Sequence, residues 1–375
     1  MRLLPYLAFL TLLSASGAPK WNVAYLYDED KSTLSLRGVE FPSDQRGIAI
    51  GTITENGRAQ HVALITADGG VKWDTVRLKD APLSLACFTD AVCWISTPGG
   101  VYRTEEGGRT WTRISKTKGI LKMQFVSPEK GWAAGARKSA WQTVDGGKNW
   151  TPLPVLNEVK ANPNHSGFQA VAMQGEVGFI GGNSRPPRKD DSPFPDWMVP
   201  EDAARRREWP GLMVILETRD AGKTWAVTSN SIFGLLTAIR IRPEGKGALA
   251  LLEYFHSFEF PAEVLTIDFK NGRTSSIFRD KTTAITDIVA GPAGETMLAG
   301  TAVVGLRGLP IPQKVLFRES TQAPGSDTSV WEKHEVDYRA TATRVHLARS
   351  PGGRYWAVTD TGIILRLDRA PKPAN

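Results

Sequence analysis

Four acidic side chains recur at one kind of place in this chain: Asp68, Glu106, Asp145 and Asp220. Their settings are TADGGVKW (66–73), TEEGGRTW (104–111), TVDGGKNW (143–150) and TRDAGKTW (218–225), all fitting Thr-x-Asp/Glu-x-Gly-x-x-Trp. Carboxylates at fixed places invite the chemistry of paired acids, in which one protonates a leaving group while the other attacks or activates water. The spacing argues for a different use. An acid followed by Gly-Gly or Ala-Gly suits a tight reversal, because the carboxylate accepts from backbone N–H groups just ahead and glycine tolerates positive φ. Thr and Trp flank the turn as strand residues, and the Trp can fold back over it. Each copy predicts a hairpin tip whose carboxylate caps its own loop, and all four acids take a structural role.

Cations and aromatics gather elsewhere, in NSRPPRKDDSPFPDWMVPEDAARRREWPG (183–211). Arg185, Arg188, Lys189, Arg205, Arg206 and Arg207 alternate there with Trp197 and Trp209. Arginine with large aromatics is the usual make-up of interface anchors, so these residues are the candidate binding set, suited to an acidic protein segment or an anionic glycan. A lid packed on its own domain fits the same composition. PEDAARRRE places acids before arginines, the order that suits a short helix and its dipole.

The two cysteines, Cys87 and Cys93, flank a short turn in SLACFTDAVC and can face each other across a hairpin as a local disulfide. The five histidines show no metal-ligand spacing. No phosphate-cradling loop, Gly-x-Ser-x-Gly elbow or cysteine nucleophile with a dedicated base is found. No catalytic residue, metal or cofactor is expected.

Positioning these groups falls to short strands. Trp73 to Trp111 is 38 residues, Trp111 to Trp150 is 39, and Trp150 to Trp225 is 75, of which 29 belong to the 183–211 insertion. A period near 40 residues built from short strands and turns indicates four-stranded propeller blades. LKMQFVSPEKGWAAGARKSAWQTVDGGKNWTPL (121–153) is the clearest unit. Its template predicts further blades at 34–78, 82–114, 168–229 (carrying the insertion), 236–278 and 285–336, the last two without an acidic box. The final unit, from Thr343, offers three strands; WNVAYLY (21–27) is left over near the N-terminus and is predicted to complete it. The expected fold is all-β, a seven-bladed propeller of antiparallel four-stranded blades closed by the N-terminal strand, with six and eight blades as the neighbouring solutions.

The segment 1–17 carries one Arg, an apolar run and small residues, the pattern of a secretory signal peptide. The remainder, 18–375, is expected to be a single exported domain, periplasmic or secreted and monomeric. No later stretch reaches membrane-spanning length. The formal charge is +7, and nucleic acid is not an expected partner of an exported protein.

The four boxes resemble the Asp-box, or bacterial neuraminidase, repeat. The fuller unit, with Phe125, Gly131, Trp132, Gly135, Thr143, Asp145, Gly146, Gly147 and Trp150, resembles the repeat of the photosystem II stability/assembly factor family. That resemblance implies a seven-bladed propeller that binds protein, as a scaffold or assembly factor for an extracytoplasmic complex. Sialidases share the box, and a carbohydrate-active enzyme of sialidase or other glycoside hydrolase type is the alternative. The early Phe/Tyr-Arg-Ile-Pro segment of sialidases is missing; Arg240-Ile241-Arg242-Pro243 lies mid-chain at a strand end.

Overall fold

Strands here are apolar on both sides, and that alone dictates how the domain is built. In GIAIG (47–51) and VALIT (62–66) successive side chains point to opposite faces, yet Ile48, Ala49, Ile50, Val62, Ala63, Leu64 and Ile65 are all buried. Each sheet must therefore be covered on both faces by further sheets. In the computed structural model, which describes residues 19–186, 209–255, 258–292, 294–303, 311–320 and 330–369, seven sheets do this for one another around a central channel.

Blade one comprises Ser32–Glu40, Gly47–Glu55, Arg58–Thr66 and Asp74–Arg77; blade two Ser84–Cys87, Cys93–Thr97, Gly100–Thr104 and Thr112–Ser115. Blade three comprises Ile120–Phe125, Gly131–Gly135, Ser139–Thr143 and Thr151–Pro152; blade four Ser166–Gln174, Val177–Ser184, Gly211–Thr218 and Ala226–Ile232. Blade five runs Gly234–Ile241, Gly247–Tyr254, Ala262–Asp268 and Thr274–Arg279; blade six Thr283–Ala290, Thr296–Ala302, Gln313–Ser320 and Glu332–Lys333. Blade seven has Val345–Arg349, Tyr355–Thr359 and Ile363–Asp368, and the strand beside Ile363–Asp368 is Lys20–Leu26, antiparallel to it. In blades one to six the four strands pair antiparallel in chain order. Seven blades is thus the count, and the insertion joins the second and third strands of blade four.

One predicted strand is divided. VWEKHEV was expected to be the outer strand of blade six, but only Glu332–Lys333 pairs there, with Arg318 and Glu319. Glu335–Val336 runs parallel to Lys20 and Trp21 in blade seven. The break falls at His334, whose ring is turned inward: Trp21 Nε1 donates to His334 Nδ1 at 3.2 Å, and His334 Nε2 lies 3.0 Å from Glu319.

The hydrophobic core is distributed between blades. Seven buried clusters occur, each drawing residues from two neighbouring blades. Ile48, Ile50, Ala63 and Ile65 of blade one pack with Leu85, Cys93 and Ile95 of blade two, while Ala49, Val62 and Leu64 pack with Trp356, Val358 and Ile364 of blade seven. The strand period of two thus sends alternate residues into the two interfaces.

Inner strands share a further device. A β-bulge interrupts five of them at the same template position, Arg37, Leu121, Gln169, Thr237 and Thr286. The extra residue bends each strand toward the axis. Polar side chains of the first or second strand then tie one blade to the inner strand of the next. Gln124 bonds both N–H and C=O of Met173, Asn183 both groups of Leu236, and Thr286 both groups of Val345.

Trp21 is the anchor of the N-terminal strand: fully buried, stacked on Phe317 at 3.9 Å between ring centroids, and bonded to His334. Trp21→Ala removes that stack and leaves His334 without its donor, and by the usual cost of deleting a buried aromatic it should lower stability by about 3–5 kcal/mol. Urea denaturation followed by far-UV circular dichroism checks this; a loss below ~1 kcal/mol would show that the strand is not held through Trp21.

Candidate functional site

The acidic boxes form as their spacing predicts, and they consume their own carboxylates. In the first, Asp68 Oδ1 accepts from the N–H groups of Val71 and Lys72, each at 2.9 Å, and from Thr66 Oγ1. Thr66 Oγ1 in turn accepts from Gly70 N at 2.9 Å, and Trp73 Nε1 donates to Gly70 O. Asp145 and Asp220 repeat the arrangement with Asn149 and Thr224 as donors. Hydrogen bonds to the charged form hold these carboxyls below the usual range. For Asp68 the main cause is the Lys72 N–H, and for Asp220 the Thr224 hydroxyl and N–H bring it down to about 2. For Asp145 partial burial works the other way and is outweighed by the N–H and side chain of Asn149.

Glu106 departs from this pattern. Its longer side chain reaches Thr110 Oγ1 at 2.8 Å, and among the described residues no backbone N–H donates to its carboxylate. The Thr104 hydroxyl still accepts from Gly108 N, so the turn forms without the acid's cap. Trp111 Nε1 is left buried with no partner, where Trp73, Trp150 and Trp225 each donate to the second glycine of their box.

Each box also meets the blade before it. The residue that follows the first position of the second strand, Trp94 in blade two, donates from Nε1 to Gly146 O of the next blade's box at 2.8 Å. Trp94 stacks flat on Phe125, 3.6 Å between centroids, and Phe125 meets Trp150 edge-on. Trp356, Phe41 and Trp73 repeat the same stack between blades seven and one. Trp132 lies so close under box four that a Cβ at Gly222 would fall 2.8 Å from its indole. The GW of the repeat and the second glycine of the next repeat are therefore two halves of one contact.

Of the candidate binding set, Arg185 and Trp209 are described; Arg188, Lys189, Trp197, Arg205, Arg206 and Arg207 lie outside the described residues, as does the 1–17 segment. Arg185 opens the insertion with its guanidinium 3.5 Å above the Phe255 ring of blade five, and its N–H bonds His165 O. Trp209 is half-buried where the insertion rejoins the blade. Cys87 and Cys93 are directly opposed in the first two strands of blade two, with Cα atoms 4.1 Å apart and sulfurs 2.13 Å apart. They occupy the place taken by Phe125 and Gly131 in blade three.

The sequence reading missed the central channel. It encloses about 560 Å³ and is lined by all seven inner strands. Charged groups face it from alternate inner-strand positions: Glu40, Lys122, Arg240, Asp287 and His346. Asp287 is held by Arg240 at 2.9 Å and by the N–H groups of Ile288 and Leu347. Burial pushes Glu40 up, Lys122 down, and His346 down to about 4. The signal was present as a polar residue alternating with apolar ones in LKMQF, AIRI, ITDIV and RVHLA, a pattern that reads equally as a solvent-facing strand.

Among the described residues, no group of three or more His, Cys, Asp or Glu has a geometry that could hold a metal ion. Likewise among them, no helix is long and apolar enough to cross a membrane.

No protein-family model matches the chain. Among curated proteins it is similar to the photosystem II assembly lipoprotein Ycf48 of Synechocystis sp., 26% identical over 98 residues, a stretch spanning 24% of this chain and 28% of that relative's length. Among solved structures it is similar to Ycf48 bound to D1 peptide, with a TM-score of 0.61 and 16% identity over 96% of this chain and 98% of the other. It is similar also to Ycf48 from Cyanidioschyzon merolae, with a TM-score of 0.58 and 16% identity over 93% and 98% of the two chains. The chain thus resembles the photosystem II assembly factor propellers, and with these structures it shares the fold from end to end.

Two outcomes test the boxes. Because the folded Asp220 carboxyl sits near 2, its contribution is fully present above the ordinary aspartate range of about 4 and is lost as pH falls through 2. Asp220→Asn should be less stable than the wild type at neutral pH, with the gap closing as pH falls through 2, read by urea titrations at fixed pH; a gap that persists below that pH contradicts this role. Ala221 stands at φ +58° where the other boxes have Gly69, Gly107 and Gly146. Ala221→Gly should relieve that conformation and raise stability by about 1 kcal/mol, and an unchanged or lower melting temperature would count against it.

Proposed function

We propose that this chain is an exported binding protein, a propeller scaffold or assembly factor that engages a segment of an extracytoplasmic protein complex. The observation that carries the reading is the near-complete overlap with Ycf48 in a structure solved with D1 peptide bound. It is supported by the signal-peptide pattern of 1–17 and by paired cysteines of the kind that suit an oxidising compartment. The engaging surface is the rim of blades four and five where the insertion leaves the ring. Arg185 is already stacked on Phe255 there, and Phe258 lies on Tyr254 at 4.6 Å, so cationic and aromatic surface is concentrated beside the insertion's root. An acidic protein segment is the partner that suits a loop rich in arginine and tryptophan.

A glycoside hydrolase reading requires two free carboxylates flanking a substrate. The box acids Asp68, Asp145 and Asp220 are bonded to their own turns and Glu106 to Thr110. In the channel Asp287 is engaged by Arg240 and two N–H groups, leaving Glu40 without an equivalent partner acid.

Replacing 187–208 by a short Gly-Ser linker should leave the melting temperature nearly unchanged, since the strands on either side are already paired with each other at Ser184 and Leu212. The same variant should lose co-purification of the partners that the tagged wild-type protein brings down from its own compartment. Partner recovery at wild-type level sinks the assignment to this rim, and turnover of aryl glycosides or sialosides by the wild type would replace binding by catalysis.

A further inference from the structure

Three titratable side chains face the central channel without a side-chain partner. Among the described residues, Glu40 of blade one, Lys122 of blade three and His346 of blade seven project into it and make no side-chain hydrogen bond or ion pair. Of the other charges there, Arg37 donates to Pro82 O and the rest are paired with opposite charges. Arg240 pairs with Asp287, Arg344 with Glu253 and Arg349 with Glu295. The fold does not require an ammonium at this position, since Gly38, Ala170 and Ala238 fill the equivalent sites of blades one, four and five. Small residues also clear the space. Gly38, Ala86, Ala172, Ala238 and Ala348 line the channel and leave it about 560 Å³, within the range of small-molecule sites.

We propose that the channel is a binding site for a small carboxylate anion, seated on Lys122 with Glu40 and His346 as its hydrogen-bonding partners. With Arg240, Arg344 and Arg349 each paired to a carboxylate, the lining charges outside ion pairs are Arg37 and Lys122 against Glu40, a balance that favours negative charge. Burial disfavours the charged form of all three, raising Glu40 and lowering His346 and Lys122, whereas a bound anion favours the ammonium and opposes the carboxylate. Beside such an anion Lys122 donates and supplies the charge, the His346 ring N–H donates, and Glu40 donates as the protonated acid. Two donors and a cation arriving from three blades suit a planar oxyanion better than a cation, which would meet the lysine. The proposal stands apart from the protein-binding rim, since none of these residues lies on blade four's insertion.

The test uses the mature protein with succinate as the probe. Bound carboxylate must stabilise the imidazolium of His346, so its titration, followed by imidazole resonances in ¹³C-histidine protein, should move upward by about one unit from its depressed value. His61, which bonds Thr52 in blade one and does not line the channel, should not move. Lys122→Met should abolish the shift and Lys122→Arg should retain most of it, while urea curves establish that both variants fold. A His346 titration indifferent to succinate, an equal shift in Lys122→Met, or a shift produced by inorganic phosphate and not by succinate would each overturn the proposal.

Discussion

The contact on which the ring depends is the one between an indole and the following blade's turn. Blades cannot bury their own faces; each sheet is apolar on both sides, and seven separate clusters, one at each interface, make up the core. Registering one blade on the next therefore needs a directional element inside each interface. Trp94 supplies it between blades two and three, where a flat stack on Phe125 fixes the separation and the 2.8 Å bond to Gly146 O fixes the height. Stacked aromatics contribute about 0.5–1.5 kcal/mol beyond area burial. Their greater effect here is geometric, because a sheet can slide on an apolar face but not past an indole locked under a turn. The box carboxylate serves the same end from the other side, holding the turn rigid so that the glycine presents an open face to the indole.

Inner strands turn this stack of interfaces into a channel. The bulges place one extra residue toward the axis at a common height, and Gln124, Asn183 and Thr286 each capture both backbone groups of the neighbouring strand. With those strands tied laterally, the side chains that point inward are released from packing duty. That is why charged groups can stand there. Asp287 shows the limit of this freedom, since its carboxylate serves Arg240 in blade five and Leu347 in blade seven at once and so belongs to the frame.

Much of this architecture could be read from residues alone, and the failures have physical causes. The Trp-to-Trp spacing located blades one to four, and the two-sided apolar strands carried the assignment through blades five to seven after the boxes ended. VWEKHEV was misjudged because its strand-like composition holds no record that His334 would turn inward to Trp21, a partner 313 residues away. The role of Trp132 was hidden for the same reason, as its contact lies in the next repeat, at Gly222. Lys122 and Glu40 were invisible because alternation distinguishes two faces of a strand without saying which one meets solvent and which a channel. Glu106 looked like a mild replacement for aspartate, but one added methylene carries the carboxylate past the N–H groups its shorter homologue caps.

Where the boxes end, the interfaces change their chemistry. Between blades five and six, Arg242 is buried and donates toward Gly294 O and Thr296 Oγ1, while within blade five Glu263 is buried under Tyr254 and Arg279. Buried polar clamps of this kind add little net stability over an apolar contact, yet they tolerate no alternative partner. The ring thus has an aromatic arc, in which a repeated sequence motif does the registering, and a polar arc, in which individual pairs do. Blade four is the last of the aromatic arc, and the insertion leaves it between two strands already paired at Ser184 and Leu212. Because those ends are held by the ladder, lengthening the connection costs only loop-closure entropy, about 0.6 kcal/mol for each doubling. Box four registers blade four on blade three and the Arg242 contacts register blade five on blade six, so the ring is held on both sides of the rim from which the arginine- and tryptophan-rich segment leaves.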